Sequence, residues 1–247
     1  MAYTSWRGVI GLIKPTMRPG STEEMIKLLP EGIGVIPLFL NVRRGAREEF
    51  QAAIKAYEPL IQQLAEQECD IILPEGAGPF VILGFEGERD LVRKWEKKYG
   101  RPMVTSSTSQ VNSMKALGIK KPLVVSYATG VTDKDRDTYF TKAGFKVAGQ
   151  PVIPLPDFEK AGQISAHEVY AYIKKEALRM PKADGMVMRG SGWRSLETVE
   201  WLEQDLGIPV VHAVTARIWE VQKRLNVNQK LTGFGRLLAE MPDYDFD

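Results

Sequence analysis

The 247-residue chain contains one cysteine and two histidines. A single thiol, Cys69, excludes an internal disulfide and any thiolate-rich metal site. His167 and His212 are too few for a zinc site of the usual kind, so no metal is expected. Net charge is nearly absent as well: 33 basic residues against 31 acidic ones give +2. That balance removes the polyelectrolyte argument for nucleic acid or an anionic membrane as partner. Where basic residues gather, as in "RKWEKK" and "IKKE", acids interleave, and a solvated helix face is expected. No apolar run approaches the ~20 residues needed to cross a bilayer. The start, "MAYTSWRGVIGLIKP", lacks the charged, apolar and small-residue pattern of a signal peptide. A cytoplasmic, metal-independent protein is expected.

What the chain does have is alternation. Short apolar runs of buried-strand length alternate with longer amphipathic stretches. Strands are predicted near 8–14, 33–38, 70–74, 103–105, 122–127, 146–150, 185–189 and 209–212. Helices are predicted near 22–29, 46–67, 87–99, 107–118, 133–143, 165–179, 195–206 and 215–225. Ser21, Ser107, Thr132, Ser165 and Ser195 stand at helix starts as caps. Strand and helix in this order predict an α/β fold with mostly parallel sheets, because parallel neighbours require crossovers.

Two stretches repeat each other. "DIILPEGAGPF" (70–80) and "DGMVMRGSGW" (184–193) both read Asp, four mostly apolar residues, one charged residue, Gly, a small residue and Gly. The charged residue is Glu75 in the first and Arg189 in the second. "GRPMVTSST" (100–108) matches "GIPVVHAVT" (207–215), and "GLIKPT" (11–16) matches "VVSYAT" (124–129), in the same order and at nearly constant spacing. A duplicated fold follows: two pseudo-symmetric halves, each a mostly parallel sheet flanked by helices, with an active-site cleft between them. Residues 1–120 are expected to form the first half and 121–247 the second, with segment 215–247 packing back onto the first.

Ligands of open α/β sheets bind beyond the carboxyl ends of the strands. Pro15 and Thr16, Gly76, Ala77 and Gly78, Tyr127 and Thr129, and Gly190 and Gly192 stand in those turns and are expected to bind substrate. Glycines let a ligand approach backbone N–H groups, and helix starts favour an anion, so a carboxylate is the expected ligand. Glu75 could serve as general acid or base and Arg189 could hold a carboxylate bidentately; a salt bridge between the two is the structural alternative. Ser191, in "GSG", is a candidate hydroxyl donor, but Met188 occupies the first glycine site of a nucleophile elbow. His212, at a strand end, is counted with the substrate-binding residues, with a capping or packing role as the alternative. Lys14 and Arg43 read as surface charges or carboxylate anchors, and Trp193 and Trp201 as helix core.

The segments "GLIKPT", "EGAGPF", "TSSTSQVNSMKALGIKKPLVVSYAT", "DGMVMRGSGW", "GIPVVHAVTARIWEV" and "GFGRLL" together resemble the aspartate/glutamate racemase superfamily, and within it the arylmalonate decarboxylase and maleate cis-trans isomerase branch. The resemblance implies a cofactor-free site between two halves, acting on the carbon beside a carboxylate. It also implies a cysteine after one or both matched strands. Gly76 and Gly190 occupy those places here, and Cys69, at the entry end of its strand, is roughly 13 Å or more from the turn. A non-cysteine mechanism is therefore expected, with Glu75, Arg189 and Ser191 as catalytic candidates. The leading reading is a malonate-type decarboxylase working through an enediolate. An isomerase or racemase of a small carboxylic acid and a non-catalytic carboxylate-binding protein are the alternatives. The expected partner is a small carboxylic acid, with self-association into a homo-oligomer left open.

Overall fold

The most deeply buried strands form at short, unbroken apolar runs. The computed structural model describes residues 4–246 except 19, 156 and 191. β1 (Gly8–Lys14), β2 (Ile33–Phe39) and β3 (Ile71–Pro74) make a parallel sheet in the order β2-β1-β3, and Met103 extends it by bridging to Ile72. β4 (Pro122–Tyr127), β5 (Val152–Ile153), β6 (Gly185–Met188) and β7 (Val210–His212) make a second parallel sheet in the order β5-β4-β6-β7. With Met103 in the place of β7, the two strand orders are the same. β3, β4 and β6 are buried along their whole length, as expected for parallel strands covered on both faces. The fold is α/β, two parallel sheets flanked by helices.

The helices are α1 (Gly20–Leu28), α2 (Arg47–Glu66), α3 (Ala77–Leu83), α4 (Phe85–Tyr99), α5 (Ser106–Ala116), α6 (Asp133–Lys142), α7 (Ala166–Arg179), α8 (Thr198–Leu206), α9 (Ala213–Arg224) and α10 (Arg236–Glu240), the last two following the final strand. Thr132 and Ser165 cap α6 and α7, each accepting from the backbone N–H three residues on and receiving a side chain back. The other three caps are corrected. Ser21 lies inside α1, Thr105 rather than Ser107 caps α5, and α8 starts after Glu197, with the Ser195 hydroxyl against His212 instead. The strand expected at 146–150 does pair with β4, through Ala148 and Gly149, with Lys146 donating to Lys120 just before it, but becomes regular only at Val152–Ile153. α3, α10 and a 3-10 helix at Phe158–Gln163 were not anticipated; each is a short element inside a Gly-rich or Pro-rich stretch.

α9 packs on α5 and α1, and Trp219 donates to the Pro242 carbonyl at 3.0 Å. Ile218, Trp219, Leu237 and Leu238 share one buried cluster with Ile10, Leu12, Ile71 and Leu73 of the first sheet. Two loops meet between the sheets: the Gly130 N–H donates to the Gly45 carbonyl at 2.8 Å, and Arg47 pairs with Asp135 at 2.7 Å. Among the described residues no helix is long and apolar enough to cross a membrane.

Candidate active site

The carboxyl ends of β1, β3, β4 and β6 open onto one cavity of about 590 Å³. Pro15, Thr16, Glu75, Gly76, Ala77, Gly78, Tyr127, Thr129, Arg189, Gly190 and Gly192 all line it. The repeat thus brings both matched turns to one space, as the sequence predicts for sheets of this kind. Ser191 lies outside the described residues. His212 is a correction: it is fully buried away from the cavity, where its Nδ1 accepts from the Val214 N–H at 3.2 Å and its Nε2 lies 2.8 Å from the Ser195 hydroxyl. Burial pushes its pKa down to about 3, so it is a neutral cap on α9 and not a substrate-binding group.

The structural alternative, a Glu75–Arg189 bridge, does not form. Glu75, buried at the end of β3, is ion-paired with Arg217 of α9, which is itself fully buried and donates through Nε to the Ala213 carbonyl at 3.0 Å. The Tyr57 hydroxyl donates to the Glu75 carbonyl and fixes the turn. In the parallel register Ile13 faces Pro74, so the next residues, Lys14 and Glu75, leave the sheet side by side. Lys14, read from sequence as a surface charge or anchor, is 2 % exposed and lines the cavity. Its amine donates to the Arg18 carbonyl. Glu24 of α1 also lines the cavity, and burial raises its carboxyl to about 7 against the pull of Arg217.

Arg189 holds the opposite wall. It is 4 % exposed, donates to the Ala77 carbonyl at 3.2 Å across the cleft, and lies 5.4 Å from the Phe140 ring centroid. Burial, and then Arg136, lowers its pKa to about 10, which leaves it cationic at neutral pH. Its buried Nε has no acceptor among the described residues. Behind it Glu88, fully buried in α4, accepts from the Thr105 and Tyr139 hydroxyls. Burial dominates those hydrogen bonds and raises Glu88 to about 7. The apolar lining comes from Phe50, Pro79, Val131, Phe158 and Trp193. Trp193 is not helix core: it precedes α8, donates to the Gly190 carbonyl at 2.7 Å and meets Tyr127 edge-on at 5.4 Å.

The arylmalonate decarboxylase family model matches residues 10–238, nearly the whole chain and all of this cavity's walls. The chain belongs to the arylmalonate decarboxylase family. Its relatives are enzymes. Arylmalonate decarboxylase from Bordetella bronchiseptica is 21% identical over 94% of this chain and 96% of its own. A maleate isomerase from Geobacillus stearothermophilus is 25% identical over 56% of this chain, and the match spans only about half, 55%, of that protein. The crystal structure of a maleate isomerase from Pseudomonas putida superposes with a TM-score of 0.87 over 95% of this chain and 99% of that one, at 18% identity. The fold is therefore that of both branches.

Within this family member the two matched glycines have a local cause. Gly76 and Gly190 both hold positive φ, +116° and +79°, where L side chains are strained. A Cβ on Gly76 would stand 2.8 Å from the Tyr57 hydroxyl, and one on Gly190 would stand 2.7 Å from the Tyr127 ring. Neither turn accepts a side chain as it stands. The cavity's charged groups come instead from the residues just before them, from Lys14, which the sequence leaves between surface charge and carboxylate anchor, and from Arg18 and Glu24, which sequence reasoning passed over. The signal for Lys14 was present: it ends β1 inside the matched "GLIKPT" segment.

Proposed function

We propose that this chain is a cofactor-independent enzyme that decarboxylates small malonate-type acids through an enediolate. The observation that carries this reading is Arg189, a buried cation whose Nε has no acceptor among the described residues and which lines the cavity opposite the matched turn. A buried unpaired donor costs about 1–3 kcal/mol, and a carboxylate oxygen relieves that cost. Arg189 would hold the carboxylate that stays. The other carboxylate would face Phe50, Val131 and Phe158, where loss of solvent favours departure of neutral carbon dioxide. The electron pair left behind passes into the enediolate, whose charge Arg189 stabilises. One proton then completes the product, and the Tyr127 hydroxyl, close against Gly190 and Gly192, stands in reach of that space.

Decarboxylation is favoured over racemisation because it needs one proton on one face. Racemisation needs acid–base groups on both faces, and isomerisation through a covalent adduct needs a nucleophile; Gly76 and Gly190 supply neither. Glu75 is not assigned the proton, since its carboxylate is occupied by Arg217. The test is release of carbon dioxide from a panel of aryl- and alkyl-malonates. Wild type is expected to turn over at least one, and Arg189→Met to lower kcat/KM on the order of a hundredfold. An inactive wild type across the panel, or interconversion of maleate and fumarate in its place, overturns the reading.

A further inference from the structure

The first-half wall of the cavity carries chemistry that the malonate reading leaves unused. Lys14 is almost fully buried, lines the cavity, and donates through its amine to the Arg18 carbonyl at the cavity's edge. Charged groups surround it from three elements: Arg217 on α9, Arg18 on the β1–α1 loop, and Glu23 and Glu24 on α1. Glu24 lines the same cavity, and its buried Oε2 has no hydrogen-bond partner among the described residues. A buried amine that feels two guanidinium charges and shares a ligand-sized cavity with a carboxyl is the kind of amine that serves as a nucleophile.

We infer that Lys14 forms an imine with the ketone of 3-oxo acids and that the cavity decarboxylates this second substrate class through an enamine. The inference goes beyond the malonate reading, because a malonate has no ketone for the amine to attack. Burial first, then Arg217 and Arg18, lower the Lys14 pKa to about 8, so a useful fraction is neutral near physiological pH. The hydrogen bond to the Arg18 carbonyl is compatible with that form, since a neutral amine still has N–H donors.

The Lys14 nitrogen attacks the ketone carbon, and the proton it sheds passes to the former carbonyl oxygen, giving a carbinolamine. Glu24, raised to about 7, donates a proton to the hydroxyl, which leaves as water, and the carbon–nitrogen double bond forms as an iminium. The bond to the carboxylate then breaks; its electron pair moves toward the iminium nitrogen, and carbon dioxide leaves an enamine. Protonation of the enamine carbon regenerates an iminium, and the water released earlier is taken up again to free the ketone and the amine. The net change is one 3-oxo acid and one proton to a ketone and carbon dioxide.

The experiment is reductive trapping of the full-length protein with acetoacetate and borohydride, mapped by peptide mass. One stable adduct per chain is expected, on the peptide carrying Lys14, with a rate falling on the order of tenfold per pH unit below 8. Lys14→Arg keeps the charge, forms no imine, and is expected to give no adduct there. Because the adduct is mapped in the wild type, the result does not depend on whether the variant folds. Adducts confined to surface lysines, or no adduct at Lys14, overturn the inference. The two readings separate cleanly: malonate turnover without a Lys14 adduct leaves the decarboxylase standing and removes the imine. A Lys14 adduct without malonate turnover does the reverse.

Discussion

Glu75 and Arg189 occupy equivalent places in the repeat, yet their surroundings give them different work. Glu75 lines the cavity ion-paired with the fully buried Arg217, whereas Arg189 lines it with a buried Nε that has no acceptor among the described residues. A buried ion pair contributes little net stability, but breaking it strands a charge. Glu75→Gln is therefore expected to cost about 3–5 kcal/mol in urea denaturation, with most of that recovered when Arg217→Met is added. Full stability of the single variant would show that Arg217 has another partner. The consequence for activity is specific: any loss in Glu75→Gln has to be corrected for folded fraction before it is read as chemistry. Lys14 shows the same lesson in reverse, since a residue that looks like a surface charge in the sequence is nearly inaccessible in the fold.

At the level of elements, α4 and α6 meet over Glu88. This carboxyl keeps its proton in the folded state up to about pH 7, while in the unfolded chain it ionises near 4.5. Between those values the unfolded state binds fewer protons, so stability falls as pH rises. The contribution is fully present below pH 4.5 and lost by the time pH passes 7; its size is roughly 2–3 kcal/mol. Glu24, also raised to about 7, adds to this decline, while His212, lowered to about 3, opposes it up to about pH 6.5. In denaturation from pH 5 to 8 Glu88→Gln is expected to lose less stability with rising pH than wild type, and an equal slope in both would remove Glu88 from the account. The sequence predicts the elements themselves well because parallel strands are short unbroken apolar runs and their crossovers are amphipathic. It also places Glu75, Arg189 and both glycine turns at one cavity, because the repeat and the strand-end rule fix them together. It cannot place Arg217, which reaches a strand end from a helix far along the chain with no local pattern to mark it. Nor could it separate His212 from the cavity, since strand-end position looks the same whether a side chain faces ligand or caps the next helix.

For the molecule as a whole, the cavity exists only while the two sheets are held at one separation, and the loops after β2 and β4 set it. Gly130 and Gly45 hydrogen-bond directly, and a Cβ on Gly130 would stand 2.4 Å from the Arg47 nitrogen and 2.8 Å from the Ala46 carbonyl carbon. Both are backbone atoms, so the clash has no flexible side chain to absorb it. Beside it, Arg47 pairs with Asp135 at 2.7 Å, with the arginine 39% exposed. The two contacts differ in kind, and the difference is measurable. Arg47→Met removes a largely solvated pair worth at most about 1 kcal/mol and leaves the backbone approach intact. Gly130→Ala forces the loops apart, which moves Val131 and Phe50 on the cavity wall as well as costing roughly 1–3 kcal/mol of overpacking. Calorimetric titration with a malonate analogue that cannot lose carbon dioxide is expected to show affinity reduced at least tenfold in Gly130→Ala and within about threefold of wild type in Arg47→Met. Equal affinity in all three proteins would mean that the halves are held elsewhere, and α9 against α5 would then be the joint to loosen next.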